Sequence, residues 1–305
     1  MPLAPDAMKS LTVQLDGPVH YVDFGGSGRP IVLVHGLGGS HLNWLPVGKQ
    51  LAAHGRVLAV DLAGHGRTPS FGRGTSVGAN RRLLGRFLEA VARAPAVLVG
   101  NSMGGYLSMA EAAAEPDKVA SLVLVDPAVP NTRIRTWDPF VISLFAAYAL
   151  PGTGAILMHW RARRGPEQLV RDTLALCCVD ASRVPHEAVR AHVELARERM
   201  GYGPVVGRDF LAAQRSLMAR LFRRGPFYAM VAGIRARALI VQGGSDRLVR
   251  VEAARELAAA RPDWRFEVLE GVGHVPQLEA PERFLAAVEP WLRTPEPRRA
   301  GGTAA

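Results

Sequence analysis

The sequence predicts an α/β fold in which a mostly parallel central sheet is flanked by helices and carries an inserted helical cap. Two observations predict the sheet. Short, fully apolar runs such as Ile31 to Val34 have the length and composition of buried strands, and helical patterns alternate with these runs. This alternation is typical of right-handed crossovers between parallel strands. A third observation predicts the cap, because no credible strand pattern occurs between about residues 128 and 235.

The composition limits the class of protein. The chain has 305 residues and is 48% hydrophobic, which is enough for one large globular domain or two modest ones. Its net charge of +10 comes almost entirely from scattered arginines, since Lys9, Lys49 and Lys118 are the only lysines. This scatter argues against binding to nucleic acid. Local arginine clusters in the helical insert leave a weak contact with a membrane surface open.

The sequence carries no targeting pattern that we recognise. Residues 1–10 lack the apolar stretch of a secretory signal, and no run of about 20 apolar residues predicts a transmembrane segment. Cys177 and Cys178 are the only cysteines, and adjacent cysteines rarely meet disulfide geometry. We therefore expect two buried thiols and a cytoplasmic location.

The elements can be predicted in chain order. In the first part, patterns of alternation and apolar runs predict a hairpin over residues 11–24, strands at 31–34, 57–60, 96–100 and 122–125, and helices at 44–54, 80–92 and 106–114. The insert is predicted to form helices at 139–150, 154–164, 167–178, 186–200 and 209–223. The last part is predicted to form strands at 238–242 and 266–269 and helices at 252–260 and 281–292.

These elements predict a domain organisation. Residues 1–127 and 236–294 are expected to form the two parts of the core, residues 128–235 the cap, and residues 295–305 a disordered tail rich in proline, glycine and arginine. The cap contains many large apolar side chains, and we expect most of them to pack the insert and only a minority to line a ligand pocket. They include Trp137, Phe140, Phe145, Tyr148, Met158, Trp160, Met200, Phe210, Met218, Phe222, Phe227, Tyr228 and Met230.

The segment Gly100-Asn101-Ser102-Met103-Gly104 follows an apolar run and precedes a helical pattern, so it is predicted to be a sharp turn between strand and helix. A serine at this turn adopts a crowded backbone conformation, which the glycines on either side make tolerable. Its hydroxyl lies at the positive end of a helix. Since negative charge on a substrate oxygen is stabilised there, Ser102 is a candidate nucleophile.

Other polar residues follow strands at the same edge of the predicted sheet. The glycine-rich loop after His35 lets backbone N–H groups approach an anion or oxyanion closely. Asp61 begins a second loop of this kind, and Asp126 follows another strand. In a sheet of this type, the binding crevice lies beyond the carboxyl ends of the strands.

Ser102, Asp246 and His274 each follow a predicted strand, in the order nucleophile, acid and base. A serine needs a base to take its proton, and histidine titrates nearest to neutral pH. A carboxylate fixes the tautomer of that histidine and stabilises the imidazolium. Asp126 is an alternative acid, but Pro127 follows it directly, and we favour Asp246.

With this pattern the chain resembles the α/β-hydrolase superfamily, in its branch of cap-bearing serine hydrolases, over roughly residues 13–292. The resemblance implies the α/β-hydrolase fold, no cofactor and no metal ion. It also implies a mainly structural role for the loop Asp61 to Gly66, with His65 as a turn residue. The roles it implies for the site are a nucleophile, a general base, an acid and two backbone N–H donors of an oxyanion hole, namely Ser102, His274, Asp246, Leu37 and Met103.

The resemblance also narrows the chemistry. A serine at the elbow argues against haloalkane dehalogenase and epoxide hydrolase activity, because those members of the superfamily use a carboxylate nucleophile. We expect a serine esterase, similar to a carboxylesterase or lipase, that cleaves a small to medium apolar ester. The elbow is similar to that of the carbon–carbon hydrolases of meta-cleavage products, which is one alternative. A cofactor-free haloperoxidase or perhydrolase and a ligand-binding protein without turnover are the others. The oligomeric state stays open.

Overall fold

The computed structural model describes residues 8–130, 138–150 and 152–294. Its central sheet has eight strands in the order β1-β2-β4-β3-β5-β6-β7-β8. The strands β1 and β2 are antiparallel to their neighbours, and all the other pairings are parallel, as predicted. The strands are β1 Lys9–Gln14, β2 Pro18–Gly25, β3 Pro30–Val34, β4 Arg56–Val60, β5 Ala96–Asn101, β6 Val119–Val125, β7 Arg237–Gly243 and β8 Arg265–Leu269.

Helices cover both faces of this sheet. Successive residues of β3 point to opposite faces, so that Ile31 packs in a core with Trp44 and Phe284, and Val32 packs in a second core with Phe87. Strands that are buried on both faces must be apolar throughout, which explains the short apolar runs of the sequence. Outside the insert the helices are α1 Gly48–Leu51, α2 Val77–Phe87, α3 Met103–Ala114, α10 Val251–Ala260, α11 Pro276–Glu279 and α12 Pro281–Arg293.

The insert between β6 and β7 is helical wherever the structure describes regular elements. Because β6 and β7 are neighbours in the sheet, the insert leaves and re-enters the core at adjacent strands. Its helices are α4 Pro139–Ala149, α5 Thr153–Arg163, α6 Pro166–Cys177, α7 His186–Met200, α8 Val205–Leu221 and α9 Arg224–Ala232. Among the described residues no single helix could span a membrane by length and composition, although α4 and α5 pass that test together as a pair bent by 110°.

The element predictions are confirmed with three exceptions. The helix predicted over residues 44–54 is wrong, because a 3₁₀ turn at His41–Trp44 and the single turn α1 replace it. Pro46 interrupts the pattern, and Gly48 lies so close to the ring of Phe24 that a side chain would not fit. The helices α9 and α11 were not predicted. The expected disordered tail, residues 295–305, lies outside the described residues, as do Trp137 and residues 1–7.

Candidate active site

Ser102 lies between the end of β5 and the start of α3, in a sharp turn. Its backbone angles are φ 54° and ψ −116°, a conformation that residues with a side chain seldom adopt. The glycines on either side of Ser102 are required because neighbouring backbone atoms leave no room for a side chain. A Cβ on Gly100 would overlap the carbonyl of Gly104, and a Cβ on Gly104 would overlap that of Val34. The strand and the helix can therefore approach each other only with glycine at both positions.

His274 and Asp246 form a direct pair. The Nδ1 atom of His274 lies 2.6 Å from Oδ2 of Asp246, and both residues are buried. Because an ionised carboxylate only accepts, Nδ1 carries the proton and Nε2 keeps its lone pair. The other oxygen, Oδ1 of Asp246, accepts from the backbone N–H groups of Leu248 at 2.7 Å and Val249 at 3.1 Å. These bonds fix the plane of the carboxylate beside His274.

The glycine-rich loop after β3 lies against the serine turn. A Cβ on Gly36 would come within 3.1 Å of the Cβ of Ser102. Leu37, Ser102 and His274 all line one cavity, whereas Met103 is fully buried beneath it and Asp246 lies behind His274. The structure thus brings the five residues singled out from the sequence to one end of the sheet, with the serine, the histidine and Leu37 at the cavity wall.

His35 holds this loop in place. Its Nδ1 donates to the carbonyl of Gly36 at 2.7 Å, and its Nε2 accepts from the N–H of Leu62 at 3.0 Å. Complete burial lowers the pKa of His35 to about 4, so the ring is neutral at physiological pH and both bonds persist. His35 therefore joins two loops of the site and has no free nitrogen for catalysis.

The loop that begins at Asp61 is held by a network of hydrogen bonds. The Asp61 carboxylate accepts from Nδ1 of His20 at 2.7 Å, from the backbone N–H of His41 at 2.7 Å and from that of Arg67 at 2.9 Å. Although burial opposes its charge, the hydrogen bonds from the two histidines hold the pKa of Asp61 well below its usual range. Burial likewise lowers the pKa of His65 to about 3. The structural role that the resemblance implied stays a prediction, since Gly64, His65 and Gly66 also line the cavity described below.

Asp126, the alternative acid, is completely buried next to Asp246. Its Oδ1 accepts from Nε2 of Gln242 and from the N–H of Gly243, both at 2.8 Å, and no donor reaches its Oδ2 among the described residues. Burial and the charge of Asp246 raise its pKa well above the ordinary value. Asp126 therefore holds its proton more tightly than an ordinary aspartate, and of the two acids it is Asp246 that hydrogen bonds to the His274 ring.

Three functional contacts were missed from the sequence. Asn101, next to the serine, donates from Nδ2 to the backbone carbonyls of Val125 at 3.1 Å and His274 at 3.0 Å, and so ties the histidine loop to the sheet. The backbone N–H of His274 donates to the carbonyl of Cys177 in the insert at 2.7 Å. Only the position of Asn101 inside the elbow motif could have suggested its role, since contacts over such sequence distances leave no local pattern.

Glu279 makes the third of these contacts. It is buried, and its carboxylate accepts from the backbone N–H groups of Gly273 at 2.7 Å and of Val179 and Asp180 at 2.9 Å. Gly273 immediately precedes His274, whereas Val179 and Asp180 belong to the insert. One carboxylate therefore joins the histidine loop to the cap.

A cavity of about 1430 Å³ extends from the serine turn into the insert. Phe210 of α8 covers the glycine-rich loop, since a Cβ on Gly38 would come within 3.2 Å of its ring. Tyr148 of α4 packs edge-on against Phe210, with the two ring centroids 5.4 Å apart. Our expectation that only a minority of the large apolar side chains of the insert would line a pocket is wrong for the described residues, because the insert encloses the cavity as well as packing a core of its own around Val170 and Leu174. Those that line it are Phe145, Tyr148, Met158, Met200, Phe210, Met218 and Phe222.

Within the described part of the chain, two buried clusters contain groups that could ligate a metal ion. They consist of His20, His41 and Asp61, and of Asp126, Asp246 and His274. In the first cluster both imidazoles hydrogen bond to the Asp61 carboxylate, and in the second His274 bonds to Asp246. Hydrogen bonding therefore accounts for both arrangements, and the expectation of no metal ion and no cofactor stays a prediction.

Comparisons with known proteins identify the family of this chain. The model of the alpha/beta hydrolase family matches residues 31–287. The chain is 29% identical over 281 residues to a 2-hydroxy-6-oxononadienedioate/2-hydroxy-6-oxononatrienedioate hydrolase of Burkholderia vietnamiensis, with 90% of this chain and 91% of the relative covered. It is 28% identical over 277 residues to a pimeloyl-[acyl-carrier protein] methyl ester esterase of Chromobacterium violaceum, with 90% and 98% covered.

A solved structure of the same fold is the haloalkane dehalogenase DatA of Agrobacterium tumefaciens C58. It superposes with a TM-score of 0.79 over 94% of this chain and 97% of the other, at 21% identity. At this identity the likeness shows the fold alone.

Proposed function

Because the chain belongs to the α/β-hydrolase family, we propose that it is a serine hydrolase that cleaves a small to medium apolar carboxylic ester through an acyl-enzyme on Ser102. The observation that carries this proposal is the strained backbone of Ser102 at the wall of the cavity that the His274 ring, bonded to Asp246, also lines. Strain of this kind persists where the surrounding structure enforces it, and it is concentrated at functional sites.

In the proposed first step, Nε2 of His274 takes the proton of the Ser102 hydroxyl while Oγ forms a bond to the ester carbon. The carbonyl oxygen becomes an oxyanion, which the backbone N–H groups of Leu37 and Met103 stabilise. The carbon–oxygen bond to the alcohol then breaks, and the imidazolium returns its proton to the departing alkoxide. A water molecule, activated by the same histidine, releases the acid from the serine, and Asp246 stabilises each imidazolium.

The cavity supports an apolar substrate of medium size. Small-molecule sites measure roughly 300–1,000 Å³, so this cavity exceeds what a short ester fills. Aliphatic, aromatic and methionine side chains dominate its lining, and methionines adapt to different apolar shapes. A panel of chromogenic esters of increasing chain length would locate the optimum. The expected location of this enzyme, the cytoplasm, belongs to the same proposal.

The nucleophile is tested by covalent labelling. We expect a fluorophosphonate to label Ser102, and Ser102→Ala to abolish labelling and to lower kcat by about a million-fold. Ser143→Ala is the matched control, because Ser143 is an exposed serine of the insert and should leave labelling intact. Labelling at another residue, or an active Ser102→Ala variant, would show that the assignment is wrong.

A second candidate function is hydrolysis of a carbon–carbon bond by the same three residues. It is favoured by the similarity to the Burkholderia vietnamiensis hydrolase and by the elbow Gly100-Asn101-Ser102-Met103-Gly104. Turnover of a vinylogous diketone faster than of any ester would establish it. Halogenation of monochlorodimedone with bromide would indicate a perhydrolase, and the lack of multiple turnover on every substrate would indicate a binding protein.

A further inference from the structure

The helices α4 and α5 carry large apolar side chains on the side that faces away from the cavity as well as on the side that lines it. In α5, Met158 and Ala162 line the cavity, whereas Ile156 and Trp160 are 61% and 64% exposed. In α4, Phe145 lines the cavity. Large apolar side chains that cluster on the exposed side of a helix mark an interaction site.

Exposed apolar side chains are concentrated on these two helices. Of the ten large hydrophobic residues that are exposed in the described part of the chain, four fall between residues 139 and 163. We call these four residues the outer face, and they are Phe140 of α4, Leu150 directly after its end, and Ile156 and Trp160 of α5. None of its members lines the cavity, so packing around a substrate does not explain them.

The cavity opening next to this face is positively charged. Arg163, Arg208 and Arg215 are exposed and also line the cavity, which places them at its mouth. Arg215 donates to the carbonyl of Leu150 at 3.4 Å, and this contact joins the charged mouth to the outer face. Neither α4 nor α5 contains an aspartate or a glutamate. A partner of this region would therefore combine an apolar layer with negative charge.

The dimensions of the two helices fit a position along a membrane surface. Each helix has eleven residues, which corresponds to a length of about 16 Å at 1.5 Å per residue. This is roughly half the hydrocarbon thickness of a bilayer. The two helices are also bent by 110° against each other, so they could lie in the interfacial layer but could not cross it as one straight span.

We propose that the outer face docks on the surface of an anionic phospholipid bilayer, with the arginines of the cavity mouth at the level of the headgroups. The apolar side chains enter the interfacial layer, and the cations are attracted by the negative surface potential. A second copy of the chain fits less well, because it would bring two proteins of net charge +10 and their arginines together. This inference goes beyond the proposed function and does not depend on which bond is cleaved.

The experiment is sedimentation of the full chain with extruded vesicles. We expect binding to vesicles of phosphatidylcholine mixed with phosphatidylglycerol, weaker binding to phosphatidylcholine alone, and weaker binding at high salt. The double variant Ile156→Asp/Trp160→Asp should lower the partition coefficient at least about tenfold, because two apolar side chains no longer enter the membrane. Phe71→Asp is the matched control. Phe71 is 67% exposed in a loop outside the insert and should not contribute.

Further measurements distinguish a loss of membrane binding from misfolding and from self-association. The double variant should keep the kcat of the wild type on a water-soluble ester. The variant Trp160→Phe should still bind vesicles, but without the blue shift of tryptophan emission that we expect when the wild type binds. The proposal is overturned if the wild type does not bind anionic vesicles or if the double variant binds them equally well. It is also overturned if light scattering detects a dimer that the double variant abolishes while no vesicle binding occurs. Binding is measured without turnover, so a failed assignment of the hydrolase would not affect the result.

Discussion

The carboxyl groups of Asp126 and Asp246 lie side by side beneath His274, and a single amide contacts both of them. The Nε2 atom of Gln242 donates to Oδ1 of Asp126 at 2.8 Å and lies 3.4 Å from Oδ2 of Asp246. Two adjacent buried carboxylates cannot both be ionised at low cost. Asp246 has two backbone N–H donors and His274 as partners, whereas burial and the charge of Asp246 raise the pKa of Asp126.

This arrangement predicts different kinetic effects for the two isosteric variants. Asp246→Asn should lower kcat by about 10⁴-fold, the magnitude known for loss of the orienting aspartate in a serine protease. Asp126→Asn should change kcat far less, because an amide resembles the neutral acid that it replaces. The measurement is kcat for both variants on the best ester found. If Asp126→Asn lowered kcat more than Asp246→Asn did, and Asp246→Asn left kcat nearly unchanged, the assignment of the acid would be reversed.

The same pair predicts a pH dependence of stability. The folded protein keeps the proton of Asp126 at pH values at which the unfolded chain, with an ordinary pKa of 3.8, has released it. The free energy of unfolding therefore falls as pH rises from about 4 toward the raised pKa, by at most about 1.4 kcal/mol per pH unit.

Asp126→Asn removes this titration, so its stability relative to the wild type should increase as pH rises through that range. Urea unfolding at a series of pH values measures the difference between the two proteins. A difference that stays constant with pH would mean that Asp126 is ionised in the folded protein, contrary to our interpretation.

The sequence predicted the parts of this molecule that depend on local patterns. The elbow at Ser102 could be predicted because the glycines that allow the close approach of strand and helix are neighbours of the serine in the chain. The buried strands could be predicted because burial on both faces requires uninterrupted apolar residues, as in Ile31 to Val34. His274 and Asp246 could be predicted to meet because both follow parallel strands at one edge of the sheet.

Features that depend on distant contacts could not be predicted. Glu279 looks like an ordinary residue of a short helix, and only the fold brings its carboxylate to the backbone of Gly273 and of Val179. The helix predicted after Trp44 is wrong because Pro46 interrupts it, and the packing of Gly48 against Phe24 of β2 leaves no sign in the local sequence. The proton on Asp126 also depends on the neighbouring Asp246, which is 120 residues away in the sequence.

Glu279 gives a prediction that links stability to activity. Glu279→Gln replaces one carboxylate oxygen by an amide that cannot accept from a backbone N–H group. Leaving a buried donor unsatisfied costs about 1–3 kcal/mol, so the urea midpoint should fall. The kcat on an ester should fall as well, because Gly273 precedes His274. Glu282→Gln, an exposed neighbour, is the control. Wild-type stability and kcat in Glu279→Gln would show that this carboxylate does not hold the histidine loop.

The last prediction concerns how the insert selects substrates through Phe210. The ring of Phe210 lies over Gly38 and packs against Tyr148, so it limits the space beside Ser102. Phe210→Ala removes this apolar contact and should raise KM for the best linear ester by about tenfold or more, since a buried aromatic ring contributes roughly 2–3 kcal/mol of apolar binding. The KM for esters with a branched acyl group should rise less, because the enlarged cavity accommodates that group. Phe140→Ala is the matched control, since Phe140 is an exposed aromatic residue of the same insert that does not line the cavity. If both variants keep the chain-length and branching profile of the wild type, the insert does not select the acyl group.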